Sequence, residues 1–333
     1  MNDGFLADGE VSLIGAHIGG TLNCDEATFI NEDGAALNAD LIVVDQSMWI
    51  GRTTITGGLI LLGADISGSL SCGGSIFSSH TAHAFHGDGL HVGRDLICDS
   101  GFTATGEIRL AGARVGGQLN VSGATLTNDS GPVLTADGLR VDQHVSLKEL
   151  SGVAGGESGA VRLSGAHVGG WLDAVGARLT NRSGAGLIAD GLSVDQQVHW
   201  HNLTVTGVSE AGAVRLWNAH IGGPLNVLGA TLTNTPVQDL CDHFQLLAEQ
   251  ELPTGLLTGL YLHGGVVFGE WAPRESDVDF LATLATGRCR RRWRRCGAST
   301  RRWWRTPRSG STGRTCSLLT WRATRARCRR RRR

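Results

Sequence analysis

The stretch Leu110-Ala-Gly-Ala-Arg-Val-Gly-Gly117 decides the architecture, because the chain contains it in five versions. The others are Leu13-Ile-Gly-Ala-His-Ile-Gly-Gly20, Leu61-Leu-Gly-Ala-Asp-Ile-Ser-Gly68, Leu163-Ser-Gly-Ala-His-Val-Gly-Gly170 and Leu216-Trp-Asn-Ala-His-Ile-Gly-Gly223. Their alanines, Ala16, Ala64, Ala113, Ala166 and Ala219, set steps of 48, 49, 53 and 53 residues. Between them falls a second phrase, Ala39-Asp-Leu-Ile-Val-Val-Asp-Gln46, Ala136-Asp-Gly-Leu-Arg-Val-Asp-Gln143 and Ala189-Asp-Gly-Leu-Ser-Val-Asp-Gln196, with a degenerate copy at His86-Gly-Asp-Gly-Leu-His-Val-Gly93. Repetition at this length means stacked units, each burying its apolar face against its neighbours.

Within a unit the hydrophobic period is that of strands. Glu107-Ile-Arg-Leu110 and Gln118-Leu-Asn-Val121 alternate polar and apolar residues, and glycine pairs break the pattern every few residues, which leaves no room for a helix. Pairs such as Ala113 with Val115, or Ala124 with Leu126, suit a narrow coil that admits small and branched side chains, and the glycines supply its positive-φ corners. The expected fold over residues 8–234 is therefore an all-β right-handed parallel β-helix, or solenoid, of about five units, with two or more coils in each. Its first coil is entered in mid-phrase at Glu10-Val-Ser-Leu13, so the N-terminal end is expected to be poorly capped.

Composition agrees. The 333 residues include 49 glycines, one tyrosine and two methionines, unlike a pair of compact α/β cores. The net charge of -1 conceals an asymmetry: residues 286–333 hold 19 basic and no acidic residues, leaving residues 1–285 at -20. There is no long apolar run and no basic-then-apolar start, so neither a membrane span nor a standard secretion signal is expected, and the location expected is cytoplasmic. The eight cysteines form no C-x-x-C pair, which suits reduced thiols.

The repeats resemble pentapeptide-repeat β-helices loosely. They are more similar to a family of bacterial repeat proteins rich in phrases such as Gly112-Ala-Arg-Val-Gly-Gly-Gln-Leu-Asn120, whose members are sometimes labelled membrane-associated oxidoreductases. No dinucleotide fingerprint or cysteine pair here supports that activity. His17, His167 and His220 share one repeat phase, which makes them coil-surface positions that could form a ladder. His80, His83, His86 and His91 are close enough in sequence to converge on a metal, but they lie in the most degenerate unit without a nearby cysteine. Asp142-Gln143 and Asp195-Gln196 recur with the period and are expected to bond backbone at corners rather than to act as catalytic carboxylates.

After Thr235-Pro236 the texture changes. Val237, Leu240, Phe244, Leu247 and Leu252 have helical spacing, followed by a strand at Leu257–His263, by Gly264-Gly265, and by Ser276-Asp-Val-Asp-Phe-Leu-Ala-Thr-Leu284. Residues 236–285 thus resemble the opening of an aminoglycoside adenylyltransferase-type nucleotidyltransferase. The resemblance implies an α/β core in which Gly264 and Gly265 approach nucleotide phosphates, while Asp277 and Asp279 hold Mg²⁺ for transfer of a nucleoside monophosphate to a small hydroxylated acceptor. The core is truncated: no Asp or Glu follows Asp279 to supply the family's third carboxylate. Residues 286–333, rich in Arg, Trp and Cys, are expected to be a disordered tail. They read as the out-of-frame product of a GC-rich gene shifted near Ala285; the alternative is an arginine-rich tail that binds nucleic acid.

These readings lead to a non-enzymatic scaffold that binds a protein partner along the solenoid side, with an incomplete and inactive nucleotidyltransferase module attached. One alternative is an active Mg²⁺-dependent nucleotidyltransferase that binds nucleotide. Another is an acidic DNA-mimicking solenoid, since residues 1–235 carry 10 basic and 23 acidic residues.

Overall fold

A computed structural model describes residues 1–209, 212–234, 257–263, 278–284 and 317–323. It divides into a solenoid unit, Met1–Ser209 with Ala213–Thr233, and a second unit comprising Glu210–Gly212 and Asn234–Arg333. Among the described residues there is no helix, and none is long and apolar enough to cross a membrane.

The solenoid is a stack of parallel strands in three sheets. The first sheet runs through nine two-residue strands from His17–Ile18 to His220–Ile221, and the second through nine from Leu22–Asn23 to Leu225–Asn226. The third has fifteen strands; its main path starts at Leu6–Asp8 and Thr28–Asn38 and ends at Thr231–Asn234. In the first sheet Ile18 pairs in turn with Val44, Ile66, Val92, Val115, Val141, Val168, Val194 and Ile221. Each step along that column is one coil, so each unit of the sequence repeat makes two coils.

Packing explains why the repeat is two coils long rather than one. At the corner entering the first sheet, the odd coils present Leu13, Leu61, Leu110, Leu163 and Leu216, each with an alanine three residues later. The even coils reverse the sizes, with Ala39 before Ile42, Ala136 before Leu139, and Ala189 before Leu192. Large side chains therefore meet small ones across each coil boundary, and the inner coils are closed: Leu110, Ala113, Ala136 and Leu139 are all at most 1% exposed. The two recurring phrases occupy the same structural position with large and small residues exchanged.

Each coil turns at two left-handed residues eleven positions apart, as at Gly112 with Gly123 and Gly165 with Gly176. The same positions are filled by Leu41 (φ +54°) with Arg52 (φ +51°), and by Asn218 with Asn202 one coil away, so glycine is favoured there but not required. A different constraint acts on Gly116, in the paired glycines of the phrase. A Cβ on Gly116 would stand 2.5 Å from the Gly93 carbonyl oxygen, so the close approach of consecutive corners demands glycine.

In the second unit, Leu257–His263, Val278–Leu284 and Ser317–Ala323 form an antiparallel sheet with Val278–Leu284 in the middle. The strands expected around Tyr261 and Phe280 are present. A third strand lies within the stretch expected to be a disordered tail. The helix expected after Pro236, and the rest of the tail, lie outside the described residues.

Candidate functional site

The polar residues of the solenoid are organised by coil contact. Asp88 accepts hydrogen bonds from Arg109 Nε (2.7 Å) and the Ala111 amide (2.9 Å) of the next coil. Asp137 does the same with Arg162 Nε (3.0 Å) and the Ser164 amide (3.0 Å), and Asp190 with Arg215 Nε (2.7 Å) and the Trp217 amide (3.1 Å). These clasps tie coil to coil at one corner. Each joins a carboxylate to a partly exposed guanidinium and an amide, so each contributes on the order of 1 kcal/mol. Sequence reading missed them. Their trace is the Asp of Asp-Gly-Leu at Asp88, Asp137 and Asp190 and the Arg of the following Ile-Arg-Leu or Val-Arg-Leu, which recur in step.

His17, His167 and His220 share one outward column of the first sheet, but never on consecutive coils, so the histidines form no continuous ladder. Reading up the stack, the sheet's outward positions are His17, Val43, Asp65, His91, Arg114, Arg140, His167, Ser193 and His220. His17 Nε2 lies 2.8 Å from Asp45 Oδ1 and His167 Nε2 lies 3.1 Å from Asp195 Oδ1, each pair spanning two coils. Asp195 was expected to bond backbone at its corner; its carboxylate instead meets an imidazole, because the corner sets it beside the previous coil's outward residue.

The four-histidine stretch does not gather on one point. His91 Nδ1 pairs with Asp65 Oδ1 (3.0 Å) on the first sheet, while His83 and His86 belong to the third sheet, their rings 4.6 Å apart. The side chain of His80 lies outside the described residues. Among the described residues no group of three His, Cys, Asp or Glu side chains is arranged to hold a metal.

His83 and His86 instead enter a polar cluster that the histidine spacing alone did not reveal. His83 Nδ1 is 3.1 Å from Glu107 Oε2, His86 Nε2 is 3.5 Å from Asp88 Oδ2, and Arg109 Nη1 is 3.9 Å from Glu107 Oε1. His83 Nδ1, Glu107 Oε1 and the Thr135 hydroxyl are buried here without a well-formed hydrogen bond. Burial opposes ionisation of Glu107, but His83, Thr135 and the charge of Arg109 outweigh it and hold the carboxyl below its ordinary range. Asp88 is likewise held low, burial being outweighed by Arg109 and the Ala111 amide. Burial, and then the charge of His83, push His86 below the usual imidazole value.

The thiols of the solenoid are core residues. Cys24, Cys72 and Cys98 are free and buried, and burial pushes Cys24 up to about 11. At that value the Cys24 thiol stays protonated at neutral pH.

In the second unit the register sets Asp279 opposite His263, the residue before Gly264. Asp277, Gly264 and Gly265 themselves lie outside the described residues. Comparison of the chain with protein-family models, curated proteins and solved structures gives no match.

Proposed function

We propose that the chain is a non-enzymatic β-solenoid scaffold whose outer faces receive a partner. The observation that carries this reading is the use made of the recurring polar residues. Asp88, Asp137 and Asp190 clasp arginines of neighbouring coils, and Asp45, Asp65 and Asp195 pair with histidines of neighbouring coils. Charged groups committed to holding a stack together serve a structure that is long, stiff and addressable from the side.

The nucleotidyltransferase reading is kept as the second, on one observation: adjacent antiparallel strands bring Asp279 level with the residue before the glycine pair. In it Asp277 and Asp279 bind Mg²⁺ while Gly264 and Gly265 face phosphate. A third carboxylate and an acceptor site are needed for turnover, and the sequence after Asp279 contains no acidic residue. The test incubates purified protein with Mg²⁺, labelled nucleotide and a panel of aminoglycosides. The scaffold reading expects no transfer; turnover that disappears in Asp277→Ala would overturn it.

A further inference from the structure

The outer side of the third sheet differs from the other two at the start of its strands. There two outward positions per coil, separated by one buried residue, form two parallel ranks, while outward positions further along the same strands, such as Glu107 and Arg109, are charged. From the second coil to the seventh the first rank reads Thr28, Thr54, Ile76, Thr103, Thr125 and Ser151, and the second reads Ile30, Thr56, Ser78, Thr105, Thr127 and Val153. Twelve consecutive positions hold only Thr, Ser, Ile and Val. Arg178 interrupts the first rank, after which Thr180, Thr204 and Thr206 resume the pattern.

Strand propensity alone explains a threonine here and there, since its β-branch suits an outward position on any sheet. It does not explain the contrast between faces. The first sheet's outward positions are mainly His, Asp and Arg. Those of the second are Asn23, Trp49, Ser71, Ile97, Asn120, Ser146, Asp173, His199 and Asn226, a mixture without order.

Parallel stacking fixes the geometry of the uniform face. Rungs repeat at about 4.8 Å along the stack, and residues two apart on a strand stand about 6.6 Å apart across it. Thr127 Oγ1 donates to Thr105 Oγ1 at 3.4 Å, so hydroxyls of consecutive rungs are already in line. Each hydroxyl can both donate and accept, and each γ-methyl excludes disordered water beside it.

Protein partners are gripped by a few dissimilar anchors, chiefly Trp, Tyr and Arg, and the twelve positions contain none of these. An aromatic platform on which a sugar ring could stack is equally missing from them. A monotonous face fits a monotonous ligand, one that repeats at the same interval and bonds through neutral oxygen. We propose that this face binds ice: the two ranks order water into a lattice that continues into the crystal surface. Ice presents oxygens that donate and accept at repeats of the same order as those of the ranks. This goes beyond the scaffold reading and does not depend on it.

The test uses the full chain in a supercooled solution containing a single seed crystal. Two measurements are made, the gap between melting and growth temperatures and the coating of the crystal by fluorescently labelled protein. Wild type is expected to coat the ice and open a gap. The double substitutions Thr105→Tyr with Thr125→Tyr, and Thr105→Lys with Thr125→Lys, are expected to reduce the gap about tenfold at equal concentration, as a weakening of a multi-point contact would. Both place tolerated residues at exposed strand positions, and circular dichroism confirms folding. Ser193→Tyr on the first sheet is expected to behave as wild type. Uncoated ice with wild type, equal gaps in folded face variants and wild type, or a dimer that buries the face in sedimentation would each overturn the proposal.

Discussion

At the residue scale, His86 shows how a solenoid with an apolar core becomes sensitive to pH through a group at its edge. It stands beside His83, Asp88 and Arg109, and the net effect of burial and the His83 charge lowers its pKa below the ordinary value. The unfolded chain therefore takes up a proton at His86 more readily than the folded one. Its contribution to stability is complete above an unfolded pKa of about 6.5 and is lost as pH falls from there toward the folded value. The carboxyls of Asp88 and Glu107 are held low, so their contributions are complete above their ordinary values, about 4, and are lost only as pH falls below them. The two effects occupy separate windows. Urea midpoints at pH 7.5, 6.5 and 5.5 are expected to fall more steeply for wild type than for His86→Gln; parallel slopes would show that the imidazole titrates alike in both states. The cluster was only half legible in the sequence. His83 and His86 stand out by spacing, but Glu107 and Arg109 lie a coil away, and register shifts between Ser78 and Phe85 hide which residues come level.

At the scale of the coil, the alternation of Leu-x-x-Ala with Ala-x-x-Leu is what sets one rung on the next. Leu110 and Ala113 face Ala136 and Leu139 in the following coil, all essentially without solvent contact. Ala113→Leu puts a large side chain where both neighbouring coils are also large, and overpacking of this kind costs about 1–3 kcal/mol. Adding Leu139→Ala restores the volume on one side only, so it is expected to recover part of that loss, although by itself Leu139→Ala costs about 2–5 kcal/mol by leaving a cavity. A double-mutant cycle by chemical denaturation checks this; strict additivity would mean that the columns do not interlock. Most of the coil was legible, because glycine corners, strand alternation and the Leu and Ala letters are local. The number of coils per repeat was not: the two phrases look like different elements until their size exchange is seen in register. The Asp–Arg clasps were hidden for a related reason, since coil length varies along the stack and spacing alone does not bring Asp137 to Arg162.

At the scale of the whole solenoid, stability is a sum over neighbours, and a coil with one neighbour is held about half as well as a coil with two. The core columns show it. Val92, Val115, Val141 and Val168 are at most 1% exposed, whereas Ile18 and Ile221 at the two ends are only half-buried. The ends are not equivalent. At the first coil, expected to be poorly capped, Leu6 is 65% exposed, yet the Met1 amino group donates to the Asn23 carbonyl and the Phe5 ring lies 5.5 Å from Phe29. In the last coil Leu225, Val227, Leu228 and Leu232 are all exposed, at 43%, 50%, 77% and 52%. Opening should therefore begin at the C-terminal coil, proceed inward one rung at a time, and reach the middle only with global unfolding. Native-state hydrogen exchange read by mass spectrometry tests this order. Peptides covering 214–226 are expected to exchange fastest, those covering 6–24 next, and those covering 90–145 slowest, near the rate set by complete unfolding. Equal protection from 90–145 through 214–226 would mean that the stack opens as one unit, and that its last coil is held by more than the rung before it.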